Sequence, residues 1–85
     1  MAVAAAGGIE AEIRVMGAHG GSAGVQEYGC GALCNLAWGS EERKAAVAAA
    51  GGIEAVIRAM GAHGGSAGVQ QHGCTALCNL AAGSK

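Results

Sequence analysis

The chain has 85 residues and a formal charge of −1, and alanine and glycine together occupy 38 of its positions. The near-zero charge excludes a nucleic-acid surface, which needs clustered lysine and arginine, and no run reaches the roughly 18 apolar residues of a membrane span. Valine, isoleucine and leucine number only 14, so the composition predicts one small unit with a thin core and marginal stability for the isolated chain.

An internal repeat organises the sequence. Residues 2–41 align with residues 46–85 at an offset of 44, and 33 of the 40 aligned positions are identical. A period near 44 is typical of helical repeat proteins. The sequence therefore divides into two repeats, 1–41 and 42–85, of which the first lacks the charged start of its first helix.

The second repeat predicts three helices in chain order, and no segment alternates like a strand. Ser40 caps the first, which runs to Ala50 and stops at Gly51. The second helix is amphipathic, with its apolar side formed by Ile53, Val56, Ile57 and Met60. After a loop over 64–68, the third helix starts at Val69, and its apolar side comprises Val69, Gly73, Ala76, Leu77 and Leu80. Glycine in the third helix, at 29 and 73, is expected to allow close helix packing.

These strings resemble the armadillo repeat family. The segment GGIEAVIRAM, a glycine-rich loop, and then VQQHGCTALCNLA are similar to its second and third helices, and the match covers both repeats. The resemblance implies an all-α fold, an α-solenoid in which three-helix repeats stack into a right-handed superhelix. It also implies a non-enzymatic module that binds an extended peptide or partner protein along a groove lined by the third helices.

The differences between the repeats concentrate on one stripe of the third helix. Four positions at helical spacing form it in each repeat: Tyr28, Gly31, Asn35 and Trp38, and then His72, Thr75, Asn79 and Ala82. The resemblance implies that this stripe lines the groove and that the asparagines grip a ligand's backbone. Peptide-importing members of the family usually have tryptophan four residues before the asparagine, where this sequence has Gly31 and Thr75, which puts a lysine-clasping pocket in doubt. An unconstrained exposed face is the alternative for the stripe, and a bond to a neighbouring backbone carbonyl is the alternative for the asparagines.

Other candidate sites favour structural interpretations. The pairs Cys30–Cys34 and Cys74–Cys78 have four-residue spacing, and free cysteine most often behaves as a small hydrophobe. We therefore predict no metal and no cofactor. His19 and His63 lie near the end of the second helix, where a cation or donor is favourable. No serine or cysteine has the histidine and aspartate companions that nucleophilic catalysis needs, so no enzyme activity is predicted.

The sequence leaves two hypotheses open for what covers the ends of the two-repeat unit. A repeat of this kind cannot bury its apolar face alone, so the chain is either part of a longer array or a unit that stacks end to end with other copies. The structural alternative to groove binding is therefore a self-assembling repeat, that is, a homo-oligomer. Four cysteines without secretory features, and the absence of a signal peptide or membrane segment, predict a cytoplasmic or nuclear location.

Overall fold

The computed structural model describes residues 7–81, and within that range it contains five α-helices and no β-strand. The helices are α1 Gly7–Ala18, α2 Ala23–Ala37, α3 Glu41–Ala49, α4 Gly52–Ala62 and α5 Ala67–Ala81. The helices α1 and α2 belong to the first repeat, and α4 and α5 to the second, as does α3 except for its first residue, Glu41. The all-α prediction is confirmed.

Serine side chains cap the N-termini of three of these helices. The hydroxyl oxygens of Ser22, Ser40 and Ser66 each accept a hydrogen bond, of 3.1–3.2 Å, from the backbone N–H three residues later. The predicted cap at Ser40 is confirmed, and so is the exit of α3 at Gly51, which has a left-handed φ of +95°. The helix α5 begins at Ala67, two residues before the predicted start, because Ser66 caps it.

The two repeats pack side by side. The most extensive contact is between α2 and α5. In addition, α1 contacts α4, and α3 lies against α2, α4 and α5. The bulky residues of the core come from both repeats, and the largest fully buried side chains are Leu33, Val47, Val56, Val69 and Cys30. The bulky residues of both repeats therefore form one hydrophobic core.

The buried face of α4 differs from the predicted one. Its buried residues are Gly52, Ala55, Val56 and Ala59. Val56 lies on the predicted face, and Ile53 and Met60 pack partly against the core, but Ile57 is 55% exposed. The helical spacing of large apolar residues predicted that Ile57 would be buried in the core. The small residues allow α4 to approach its neighbours closely, and Ile57 lies on the side that no described helix covers.

The third helix of each repeat packs closely through a glycine. A Cβ atom at Gly29 would lie 2.6 Å from the Sδ of Met16, and one at Gly73 would lie 2.6 Å from the Sδ of Met60. The same glycine–methionine contact thus occurs in both repeats. This confirms the expectation that these glycines permit close helix packing.

Replacing Gly29 with alanine should destabilise the protein, although alanine is the better helix former. The added methyl group would displace the buried Met16, and overpacking of this kind typically costs about 1–3 kcal/mol. Gly31→Ala is the matched control in the same helix, because its Cβ would meet only the His72 Nδ1, at an ordinary 3.9 Å. The control should gain up to about 1 kcal/mol from helix propensity. Urea unfolding followed by circular dichroism measures both, and equal effects would contradict the close contact.

Candidate functional site

The predicted stripes of the two third helices lie next to each other on α2 and α5. Gly31 is close to His72, since a Cβ at Gly31 would lie 3.9 Å from the ring Nδ1. Further along, Trp38 and Asn79 line one pocket. The structure therefore brings Gly31 and Trp38 of one stripe and His72 and Asn79 of the other to one surface, which we call the α2–α5 surface.

Trp38 forms the most distinctive part of this surface. It follows the last residue of α2 in an extended conformation (φ −68°, ψ 132°), so it is not the helical residue that the stripe predicted. The helix ends there because Gly39 adopts a left-handed φ of +78°. The indole remains 68% exposed and lines a pocket of about 180 Å³ together with Ala37, Gly39, Lys44 and Asn79.

Arg43 holds the turn that carries Trp38. Its Nε donates to the carbonyl oxygen of Leu36 at 2.8 Å, and its Nη2 donates to that of Trp38 at 3.0 Å. The guanidinium thus satisfies carbonyls at the end of α2, where the helix dipole also favours a cation. Arg43 was not among the residues predicted from the sequence. Its partners are backbone carbonyls, so the sequence carried no signal for this contact.

The two asparagines have different surroundings. Asn35 is exposed, whereas Asn79 is half-buried and its Nδ2 donates to the Sγ of Cys34 at 3.0 Å. Asn79 therefore links α5 to α2, and its amide oxygen can still accept a hydrogen bond. The structural alternative for the asparagines was a bond to a backbone carbonyl, and the bond seen at Asn79 goes to a thiol instead.

The remaining stripe residues vary in exposure. Tyr28 is 82% exposed, and Thr75 is exposed with its hydroxyl donating to the carbonyl oxygen of Gln71 at 3.0 Å. Gly31 and His72 are half-buried beside each other. Ala82 lies outside the described residues.

Glu27 accounts for one of the differences between the repeats. Its carboxylate lies 3.6 Å from the Nε2 of His72 and sits directly over the first turn of α5, where a Cβ at Gly68 would lie 2.8 Å from Oε2. A carboxylate is favourable at a helix N-terminus and beside a protonated histidine, although this pair is partly exposed and its net contribution is small. Gln71 replaces Glu27 in the second repeat, where no described helix follows.

A glutamine fixes the end of the second helix in each repeat. The Nε2 of Gln26 donates to the carbonyl oxygens of Met16 and His19 at 2.9 and 3.0 Å, and Gln70 repeats this arrangement with Met60 and His63. Gln26 is only 3% exposed. These glutamines were not predicted from the sequence, where their recurrence at the same position of both repeats was the available signal.

The histidines near the helix ends also differ between the repeats. His63 follows α4, and its Nε2 donates to the carbonyl oxygen of Gly20, in the loop between α1 and α2, at 2.8 Å. The equivalent His19 is exposed. His63 therefore connects the two repeats. The sequence had predicted only an interaction with the end of its own helix.

The cysteines become more exposed along the chain. Cys30 is fully buried, Cys34 is half-buried, and Cys74 and Cys78 are exposed, all as free thiols. Burial raises the pKa of the Cys30 thiol. Within residues 7–81, no three histidine, cysteine or acidic side chains group so that they could hold a metal ion.

No single helix between residues 7 and 81 is long and apolar enough to cross a membrane. The pair α3 and α4 meets the criterion of length and composition only when the two helices are joined across a 65° bend.

Comparison with known proteins identifies no relative: no protein-family model, no curated protein and no solved structure matches the chain.

Proposed function

We propose that the chain is a non-enzymatic binding module of the armadillo type, and that its α2–α5 surface binds an extended segment of a partner protein. The observation that carries this proposal is the position of the aromatic residues. The chain has one tryptophan and one tyrosine and no phenylalanine. Both aromatic side chains are largely exposed, and both lie on or next to α2.

Leaving both aromatic side chains exposed is costly for a chain so poor in bulky residues. Aromatic side chains bury 150–250 Å² each and would have contributed strongly to the core. At protein interfaces, tryptophan and tyrosine are enriched among the residues that contribute most to binding. Their exposure here favours recognition over stability.

The polar groups nearby suit an extended peptide. The pocket beside Trp38 contains Asn79, whose amide can bond to a peptide backbone, and Lys44, which also pairs with Glu41 at 3.3 Å. Asn35 on α2 offers a second amide, and this one is exposed. An apolar or aromatic side chain on the indole, with the backbone bonded to the amides, is the binding mode that we propose. We place this activity in the cytosol or nucleus, as the reduced cysteines favour.

A peptide-display selection tests the proposal. A library of random peptides is selected on the immobilised protein, and the enriched peptides are titrated by fluorescence anisotropy. Trp38→Ala should weaken their binding by about 10-fold or more, as expected for an aromatic residue that anchors an interface. The double substitution Asn35→Ala/Asn79→Ala should weaken it further through lost backbone bonds.

Val15→Ala is the control for this experiment. Val15 is 46% exposed on α1, away from the α2–α5 surface, and the second repeat already has alanine at the equivalent position. Its affinity for the selected peptides should equal that of the wild type. Unchanged affinity in Trp38→Ala and in the asparagine double variant, or no enrichment of any peptide, would refute the proposed function.

A further inference from the structure

Equivalent residues of the two repeats differ in exposure according to the face on which they lie. Cys30 and Leu33 are fully buried against the second repeat, whereas their equivalents Cys74 and Leu77 are exposed and half-buried. Ile13 packs against the core, whereas Ile57 is 55% exposed. We call the uncovered set on α4 and α5 the trailing face; it consists of Ile57, Cys74, Leu77 and Cys78.

The opposite end of the molecule shows the complementary pattern. In the second repeat, Val56, Ala59, Val69 and Ala76 are buried to 2% exposure or less where the repeats meet. Their equivalents on α1 and α2 are exposed or half-buried. We call this second set the leading face; it consists of Glu12, Val15, Val25 and Ala32.

Two polar contacts between the repeats also have equivalents on the two faces. Asn79 donates to Cys34, and His63 donates to the carbonyl oxygen of Gly20. The equivalent donors in the first repeat, Asn35 and His19, lie on the same side of the molecule as the leading face. The equivalent acceptors, Cys78 and Gly64, lie at the trailing end. Moving one copy along by a single repeat would therefore pair these two donors with equivalent acceptors again, whereas Tyr28 and Gln71 would stand in place of His72 and Glu27.

Three differences weaken such a contact. Glu12 stands where Val56 is fully buried, Val15 stands where the smaller Ala59 is buried, and Gln71 replaces the carboxylate of Glu27. The Glu12 carboxyl is already partly desolvated, which raises its pKa. Burying it further beneath a second copy is unfavourable because a carboxylate loses its hydration there.

We propose that the trailing face docks the leading face of a second copy of this chain, and that Glu12 keeps this head-to-tail contact weak. The internal interface supplies the template, since 33 of the 40 aligned residues are the same in both repeats. A contact of this kind joins two different faces, so each added copy leaves one leading and one trailing face open.

Sedimentation velocity over a dilution series tests the role of Glu12. The wild type should associate weakly and in proportion to concentration, whereas Glu12→Val, which restores the residue found at position 56, should associate about 10-fold or more tightly because no carboxylate is buried. Glu10→Val is the matched control, since Glu10 is exposed on the same helix and its equivalent Glu54 is also exposed. This control should behave as the wild type does.

A mixing experiment tests the head-to-tail geometry. The variant Glu12→Val/Ile57→Glu retains only a working leading face, and Val15→Glu retains only a working trailing face. Each should be monomeric alone, and an equimolar mixture should form a dimer that does not grow. Alkylation of Cys74 in the Val15→Glu chain should slow in that dimer, because Cys30 is fully buried at the equivalent internal position.

Circular dichroism confirms that each variant is folded, which is expected because Val15 and Ile57 are both exposed. Two results would overturn the proposal: a monomeric Glu12→Val variant at every concentration, or a mixture that stays monomeric although both components are folded. A symmetric dimer formed by Val15→Glu alone would overturn it as well. These results do not depend on peptide binding, so they are separate from the test of the α2–α5 surface.

Discussion

Replacing Val56 with glutamate is expected to unfold the protein. Val56 is fully buried between the repeats, and a buried carboxylate without a partner costs several kcal/mol even after relaxation. The total stability of small domains is only about 5–15 kcal/mol, and this alanine-rich core belongs at the low end. Far-UV circular dichroism and urea titration of the variant measure the loss.

The adjacent residue supplies the control for that substitution. Ile57→Glu introduces the same charge one position along α4, where the side chain is 55% exposed, and should change the free energy of unfolding by less than about 1 kcal/mol. The measurements should be made at low protein concentration so that association does not contribute. A Val56→Glu variant as stable as Ile57→Glu would show that Val56 does not lie between the repeats.

Leu33→Ala should destabilise the protein far more than Leu77→Ala, although both leucines occur in the string ALCNLA. Leu33 is fully buried, and truncating a buried leucine costs about 2–5 kcal/mol. Leu77 is only half-buried at the trailing face, so its truncation should cost about 1–2 kcal/mol because less apolar area is returned to water. Urea midpoints of the two variants provide the comparison, and equal losses would mean that the two repeats have the same surroundings.

Much of the fold could be predicted from the sequence because its signals are local. The Ser40 cap and the Gly51 exit depend on a few adjacent residues. The buried side of α5 follows from helical periodicity, and Val69, Gly73, Ala76 and Leu80 are buried as expected. The repeat itself indicated that the same helices occur twice.

The differences between equivalent residues could not be predicted in the same way. Cys30 and Cys74 have nearly identical neighbours in sequence, and only the second repeat lying against the first buries Cys30. Periodicity likewise assigned Ile57 to the core because it cannot tell which apolar side a neighbouring helix covers. Tertiary contacts decide both cases.

The candidate site was predicted in part. The stripe positions at Gly31, His72 and Asn79 do lie on one surface, where the helices α2 and α5 bring them together. Trp38 is beyond the helix end, which Gly39 in the next position could have indicated. The contribution of Arg43 required the structure, because its partners are backbone carbonyls that carry no signal in the sequence.

The second repeat packs on the first and gives identical residues different surroundings, as at Cys30 and Cys74. Pulsed alkylation of the native, dilute protein, with each cysteine quantified by mass spectrometry, measures this difference. Cys74 and Cys78 should react fast, and Cys30 should react about 100-fold or more slowly, since about 2.7 kcal/mol of local opening free energy gives that factor. Equal rates at Cys30 and Cys74 under native conditions would contradict the account.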